Sequence, residues 1–142
     1  MKKQIFLLIS SLFIFQGCSS DAPSCSSSDV ENLVLEISVE EIQKSLFLKY
    51  GYAASMMYKR VKNNNFDGIA KEDEKAILIQ LREQYDSIND LSLDSVRTSE
   101  VDDKLLKSTC EGNLNLNGKS IDITYDAQTT DGGDLYVNVY GL

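Results

Sequence analysis

Residues 106–142 read LKSTCEGNLNLNGKSIDITYDAQTTDGGDLYVNVYGL, and their alternation decides the fold. Leu106, Cys110, Leu114 and Leu116 fall on one face, with Thr109, Glu111, Asn113 and Asn115 on the other. That period of two marks a half-buried strand. Asn117-Gly118 is a two-residue turn of the kind that needs positive φ at both positions. The next run sets Ile121, Ile123, Tyr125 and Ala127 against Asp122, Thr124, Asp126 and Gln128. Asp131-Gly132-Gly133 turns the chain again, and Leu135, Val137 and Val139 form the last inward set. Leu91 to Thr98 is read as the strand that precedes them.

A meander with one apolar face must cover it, and only the residues N-terminal to it are available. Val30, Leu33, Val34 and Ile37 fall on one helical face, with Asp29 placed to cap. Leu33, Leu35, Ile37 and Val39 also alternate as a strand would, and Ser38-Val-Glu-Glu41 has the form of a capping box opening a second helix. The segment reads as one long or broken helix buried on two sides. Ala53 to Lys62 gives a short helix. Lys71 to Ile88 gives a longer one, with Ile77, Leu78, Leu81, Tyr85 and Ile88 as its apolar stripe. The expected class is α+β, with N-terminal helices packed on one face of an antiparallel four-stranded meander.

The N-terminus has a different grammar. Lys2 and Lys3 precede an apolar run from Ile5 to Phe15, interrupted only by Ser10 and Ser11. This is the layout of a secretory signal, too short to span a bilayer, which takes roughly 20 residues. The segment that follows, FQGC, resembles the bacterial lipobox, which implies cleavage before Cys18 and acylation of that cysteine. Ser19, where Asp would mark inner-membrane retention, points in that family to the outer membrane. Removing residues 1–17 from 142 leaves 125 and takes two lysines, so the net charge moves from −8 to −10. Residues 18–28, Ser-rich and holding the one Pro, read as a tether; 29–142 reads as one domain.

Such an acidic balance argues against nucleic acid and against a polybasic membrane contact. The chain has no His and no Trp. The lack of His removes Ser–His and Cys–His nucleophiles and the commonest zinc sites, and no spacing singles out a carboxylate pair. The expectation is a protein that is not an enzyme and takes no cofactor. Asn63, Asn65, Asp67, Gly68 and Glu74 match the ligand spacing of a calcium loop. With Asn at the first position and Lys71 among the ligands, however, they read better as a helix–helix turn in which Asp67 caps the next helix. No metal is assigned. Cys25 and Cys110 remain after Cys18. In an oxidising location they can pair, and two free buried thiols are the alternative.

The motifs SVRTSEVDDK, CEGNLNL and ITYDAQTTDGGDLYVNVYGL, with a Cys ahead of the first helix, resemble a group of small, largely uncharacterised bacterial lipoproteins. That resemblance implies a helix laid across a four-stranded, cystatin-like sheet and a disulfide between Cys25 and Cys110. Residues 50–88 exceed what it implies and read as a helical insertion. It carries no activity. From strand alternation, Glu111, Asp122, Asp126, Tyr136 and Tyr140 share the solvent face, which suggests a surface for a protein partner bearing Arg or Lys. The expected role is a membrane-anchored, periplasm-facing binding module of the cell envelope. The alternative is an immunity or exclusion lipoprotein that neutralises a toxin or phage protein.

Overall fold

The computed structural model describes residues 21–142. The signal segment 1–17 and Cys18 lie outside the described residues. Four antiparallel strands, β1 (Ser92–Asp102), β2 (Lys107–Leu116), β3 (Lys119–Thr129) and β4 (Leu135–Tyr140), pair in the order β1-β2-β3-β4. Three helices precede them: α1 (Ser28–Ser45), α2 (Ala54–Lys62) and α3 (Glu72–Ser87). The protein is an α+β fold.

Helix α1 runs unbroken. Ser27, not Asp29, caps it, its hydroxyl accepting from the Val30 N–H at 3.4 Å. Asp29 and Glu31 sit in the first turn and Lys44 in the last, the placement the helix dipole favours. No second helix opens at Ser38, because that residue continues the row Val30–Val34–Ser38 that faces the core, and burial overrides its capping preference. The strand-like alternation resolves into the two shoulders of this helix, Leu33 and Ile37 on one side, Leu35, Val39 and Ile42 on the other. Ser38 is fully buried and its hydroxyl has no hydrogen-bond partner. An unpaired buried hydroxyl costs about 1–3 kcal/mol, and Ala is the better helix former by roughly 0.5 kcal/mol. Ser38→Ala should therefore stabilise the protein by about 1 kcal/mol or more in urea unfolding; a lower midpoint would mean that the hydroxyl is paired.

The β2–β3 hairpin forms as its pattern dictates. Asn117 and Gly118 take φ of 50° and 76°, so both turn residues are left-handed. Cys110, Leu114, Ile123, Tyr125, Ala127 and Val137 are buried beneath α1. Gly112 belongs to this inward row, and a side chain there would meet the Leu93 Cδ1 at 3.0 Å. Two residues depart from the expected row. Leu106 lies in a left-handed turn before β2, at φ 48°, and Ser108 takes the buried place instead. Ile121, at the start of β3, is 40% exposed. Strand β1 extends past Thr98 to Asp102, with irregular register between Asp94 and Arg97 and between Thr98 and Glu100.

Cys25 and Cys110 form a disulfide, with an S–S distance of 2.03 Å, that fastens the entry to α1 onto β2. Two hydrogen bonds reinforce it. Ser108 donates to the Pro23 carbonyl at 2.7 Å, and Tyr125 donates to the Cys25 carbonyl at 3.0 Å. Burial, with the charge of Glu31 adding to it, pushes the Tyr125 hydroxyl up to about 12. Pro23 to Ser27, which compose as tether, are thus held against the sheet.

Helices α2 and α3 do not share in covering the sheet. Phe47, Val61, Leu78, Leu81 and Tyr85 make a second buried cluster with no member in common with the first. Ile77 is exposed, whereas Leu78, Leu81, Tyr85 and Ile88 are buried as their spacing predicts. Gln43, near the end of α1, joins the two halves, its amide donating to the Tyr85 carbonyl at 3.1 Å and to Asn89 at 3.3 Å. Arg82 donates to the Val61 carbonyl at 2.7 Å and so ties the end of α2 to α3.

Candidate functional site

The solvent face of the sheet brings together the five residues that alternation assigns to it. The register sets Glu111 opposite Thr124, Asn113 opposite Asp122, Asp126 opposite Asn138 and Thr124 opposite Tyr140. Tyr136 and Tyr140 lie two positions to either side of Asn138 and are 54% and 49% exposed. Both hydroxyls have partners on the same face. Tyr136 donates to Asn138 at 3.1 Å and Tyr140 to Asp126 at 3.2 Å. Beside Tyr140 an open groove of about 570 Å³ is lined by Arg97, Glu111, Asp122 and Thr124.

The face is less acidic than its carboxylates suggest. Arg97 forms an ion pair with Glu111, its Nε donating at 2.6 Å. Lys107 pairs with Asp126 at 2.9 Å. Asp122 has the Asn113 amide at 2.7 Å, and Asp94 has the Asn115 amide at 2.8 Å. Arg97 reaches Glu111 only because β1 is irregular just before it, a register no strand pattern reveals. Lys107 was legible in principle, since it stands on the same side of β2 as Thr109.

Asp126 is the hub. Its carboxylate accepts from Lys107, from Thr109 at 2.9 Å and from Tyr140. Burial alone pushes this carboxyl up, but the hydrogen bond from Lys107, aided by Thr109 and Tyr140, outweighs it and holds the group below the ordinary carboxylate range. With its oxygens committed in this way, Asp126 acts as a structural acceptor. A carboxyl lowered in the folded state adds stability that is fully present above its unfolded pKa, about 3.9, and is lost as pH falls through the folded value. Asp126→Asn should cost about 1 kcal/mol at pH 7. The difference from the unaltered protein should shrink below pH 4 in urea unfolding, and a gap constant from pH 7 to pH 3 would show that the charge contributes nothing.

The calcium-like spacing is put to another use. Asn64, at φ 50°, ends α2 in a Schellman turn, with the Asn65 N–H bonded to the Arg60 carbonyl at 2.9 Å and the Asn64 N–H to the Val61 carbonyl at 3.1 Å. Asn65 accepts from the Asp67 N–H at 3.1 Å. Asn63, Asn65 and Asp67 line one depression with Lys59 and Arg60, whereas Glu74 lines another and pairs with Lys71 at 3.1 Å. Asp67 does not cap α3; Lys71 stands at that position without a side-chain cap.

Neither a curated protein nor a solved structure matches the chain. Residues 33–141, from within α1 through the end of the sheet, match a family described as "Domain of unknown function (DUF6517)". The chain, with its disulfide-fastened helix and four-stranded sheet, belongs to that family.

Proposed function

We propose that the protein is a non-enzymatic, lipid-anchored component of the cell envelope whose sheet face binds another protein. The observation that carries this reading is the pair Tyr136 and Tyr140, half-exposed on a hydrogen-bonded polar sheet and oriented by Asn138 and Asp126. Aromatic rings with polar tips, held before the partner arrives, bind with little loss of side-chain freedom. Asp94 and Asp122, which have amides rather than cations as partners, favour Arg or Lys on the other side. The anchor rests on the N-terminal Lys2-Lys3, the apolar run and FQGC, and the disulfide suits an exported protein.

Two measurements test the reading. Labelled palmitate should enter the unaltered protein and not Cys18→Ser; equal labelling removes the anchor. Tyr136→Ser with Tyr140→Ser, checked first for an unchanged melting temperature, should weaken capture of the partner from solubilised envelope at least tenfold. Unchanged capture by the folded double variant places the site elsewhere. Capture of a foreign toxin alone would instead favour the immunity reading.

A further inference from the structure

The acidic net charge conceals a segregation. From Ile42 to Phe66 there is no Asp or Glu, while Lys44, Lys49, Lys59, Arg60 and Lys62 all fall there, in a chain with 14 cations and 22 acids. Lys44 pairs with Glu40 and Glu41. Among the described residues the other four have no carboxylate within 4.0 Å.

The same stretch exposes its large apolar side chains. Leu48 is 74% exposed, Met56 is 58% exposed and Tyr52 is fully exposed. Tyr52, in the 3-10 turn just ahead of α2, and Met56, Lys59 and Lys62 on α2 follow helical spacing, with Met56 and Lys59 opposite buried Val61. Leu48 lines a depression with Ser55 and Tyr58, at the flank of this row. Apolar and cationic groups on one exposed helix surface are the arrangement that suits the interface of an anionic bilayer, with acids only at its borders, where Asp67 shares a depression with Lys59 and Glu74 one with Met56. A neutral or basic protein partner would account for the apolar groups, but not for the exclusion of every acid from 25 residues of an acidic chain.

We propose that the outer side of Leu48–Lys62 is a membrane-surface dock, in which Lys49, Lys59 and Lys62 meet anionic lipid headgroups while Leu48, Tyr52 and Met56 enter the interfacial zone. The dock does not depend on the sheet face or on Cys18.

The chain has no tryptophan, so Tyr52→Trp places a single reporter at the dock. Met56→Trp is a second, independent position. In the full chain at low salt, emission should move to shorter wavelength with phosphatidylglycerol vesicles and not with phosphatidylcholine vesicles, and the shift should vanish at high salt. Lys59→Gln with Lys62→Gln should lower the vesicle partition coefficient about 25-fold, at roughly fivefold per cation. Three results would overturn the proposal: no shift at either position, equal shifts in both lipids, or a shift unchanged in the double Gln variant. A shift given by an acidic protein or by duplex DNA, but not by anionic vesicles, would assign the surface to that partner instead.

Discussion

Cys25→Ser, Cys110→Ser and the double variant are each expected to lose about the same stability, near 4 kcal/mol, and to melt roughly 10–20 °C below the unaltered protein. The bridge joins residues 85 apart in sequence. Closing a loop of that size removes roughly 4.5 kcal/mol of chain entropy from the unfolded state, before any residual structure reduces it. For a domain with a total near 5–15 kcal/mol, that is a large share of its stability. Either single change removes the whole cross-link, so the double variant should melt close to the two single ones. Thermal melts of the three variants check this. The Ser108–Pro23 and Tyr125–Cys25 hydrogen bonds remain without the bridge, and a melting temperature unchanged within a few degrees would show that they suffice.

Phe47→Ala is expected to open one half of the protein and leave the other closed. Phe47 is buried and packs nearly perpendicular to Tyr58, with ring centroids 5.7 Å apart. Emptying such a site costs about 3–5 kcal/mol. The loss falls on the cluster of Val61, Leu78, Leu81 and Tyr85, which shares no buried residue with the core under the sheet. Hydrogen exchange reads the two halves separately. Amides of Leu78–Tyr85 should lose roughly two to four orders of magnitude of protection, while those of Cys110–Leu114 and Ile123–Ala127 keep theirs. Equal losses in helix and strand would mean that Gln43 and the end of α1 couple the halves into one cooperative unit.

The parts of this fold that were readable are those specified by neighbouring residues. Asn117-Gly118 demands a hairpin, and once the turn is placed the alternation from Cys110 to Ala127 fixes both faces of β2 and β3. Leu78, Leu81 and Tyr85 announce α3 by spacing alone. What escaped was set by contacts distant in sequence. Ser38 has the local form of a helix start, and only burial against the sheet keeps α1 running through it. Leu106 continues an apolar row on paper, yet the turn before β2 takes it out of register and gives its place to Ser108. The polar face was legible in its membership, from Glu111 to Tyr140, but not in its charge balance. Arg97 neutralises Glu111 across a strand whose register slips, and a slipped register leaves no periodic trace.

The irregular course of β1 has one more effect. A meander of four strands has two open flanks, and an open flank with unpaired N–H and C=O groups is a template for aggregation. On one side β1 is broken at two places, and Ser95 turns left-handed at φ 53°, so no straight ladder is offered there. On the other, β4 is six residues long and is bounded by the left-handed Gly133 and Gly141. Copies concentrated against a common surface would meet at high local density, where stray strand pairing is a hazard. Both borders of this sheet are built to refuse it.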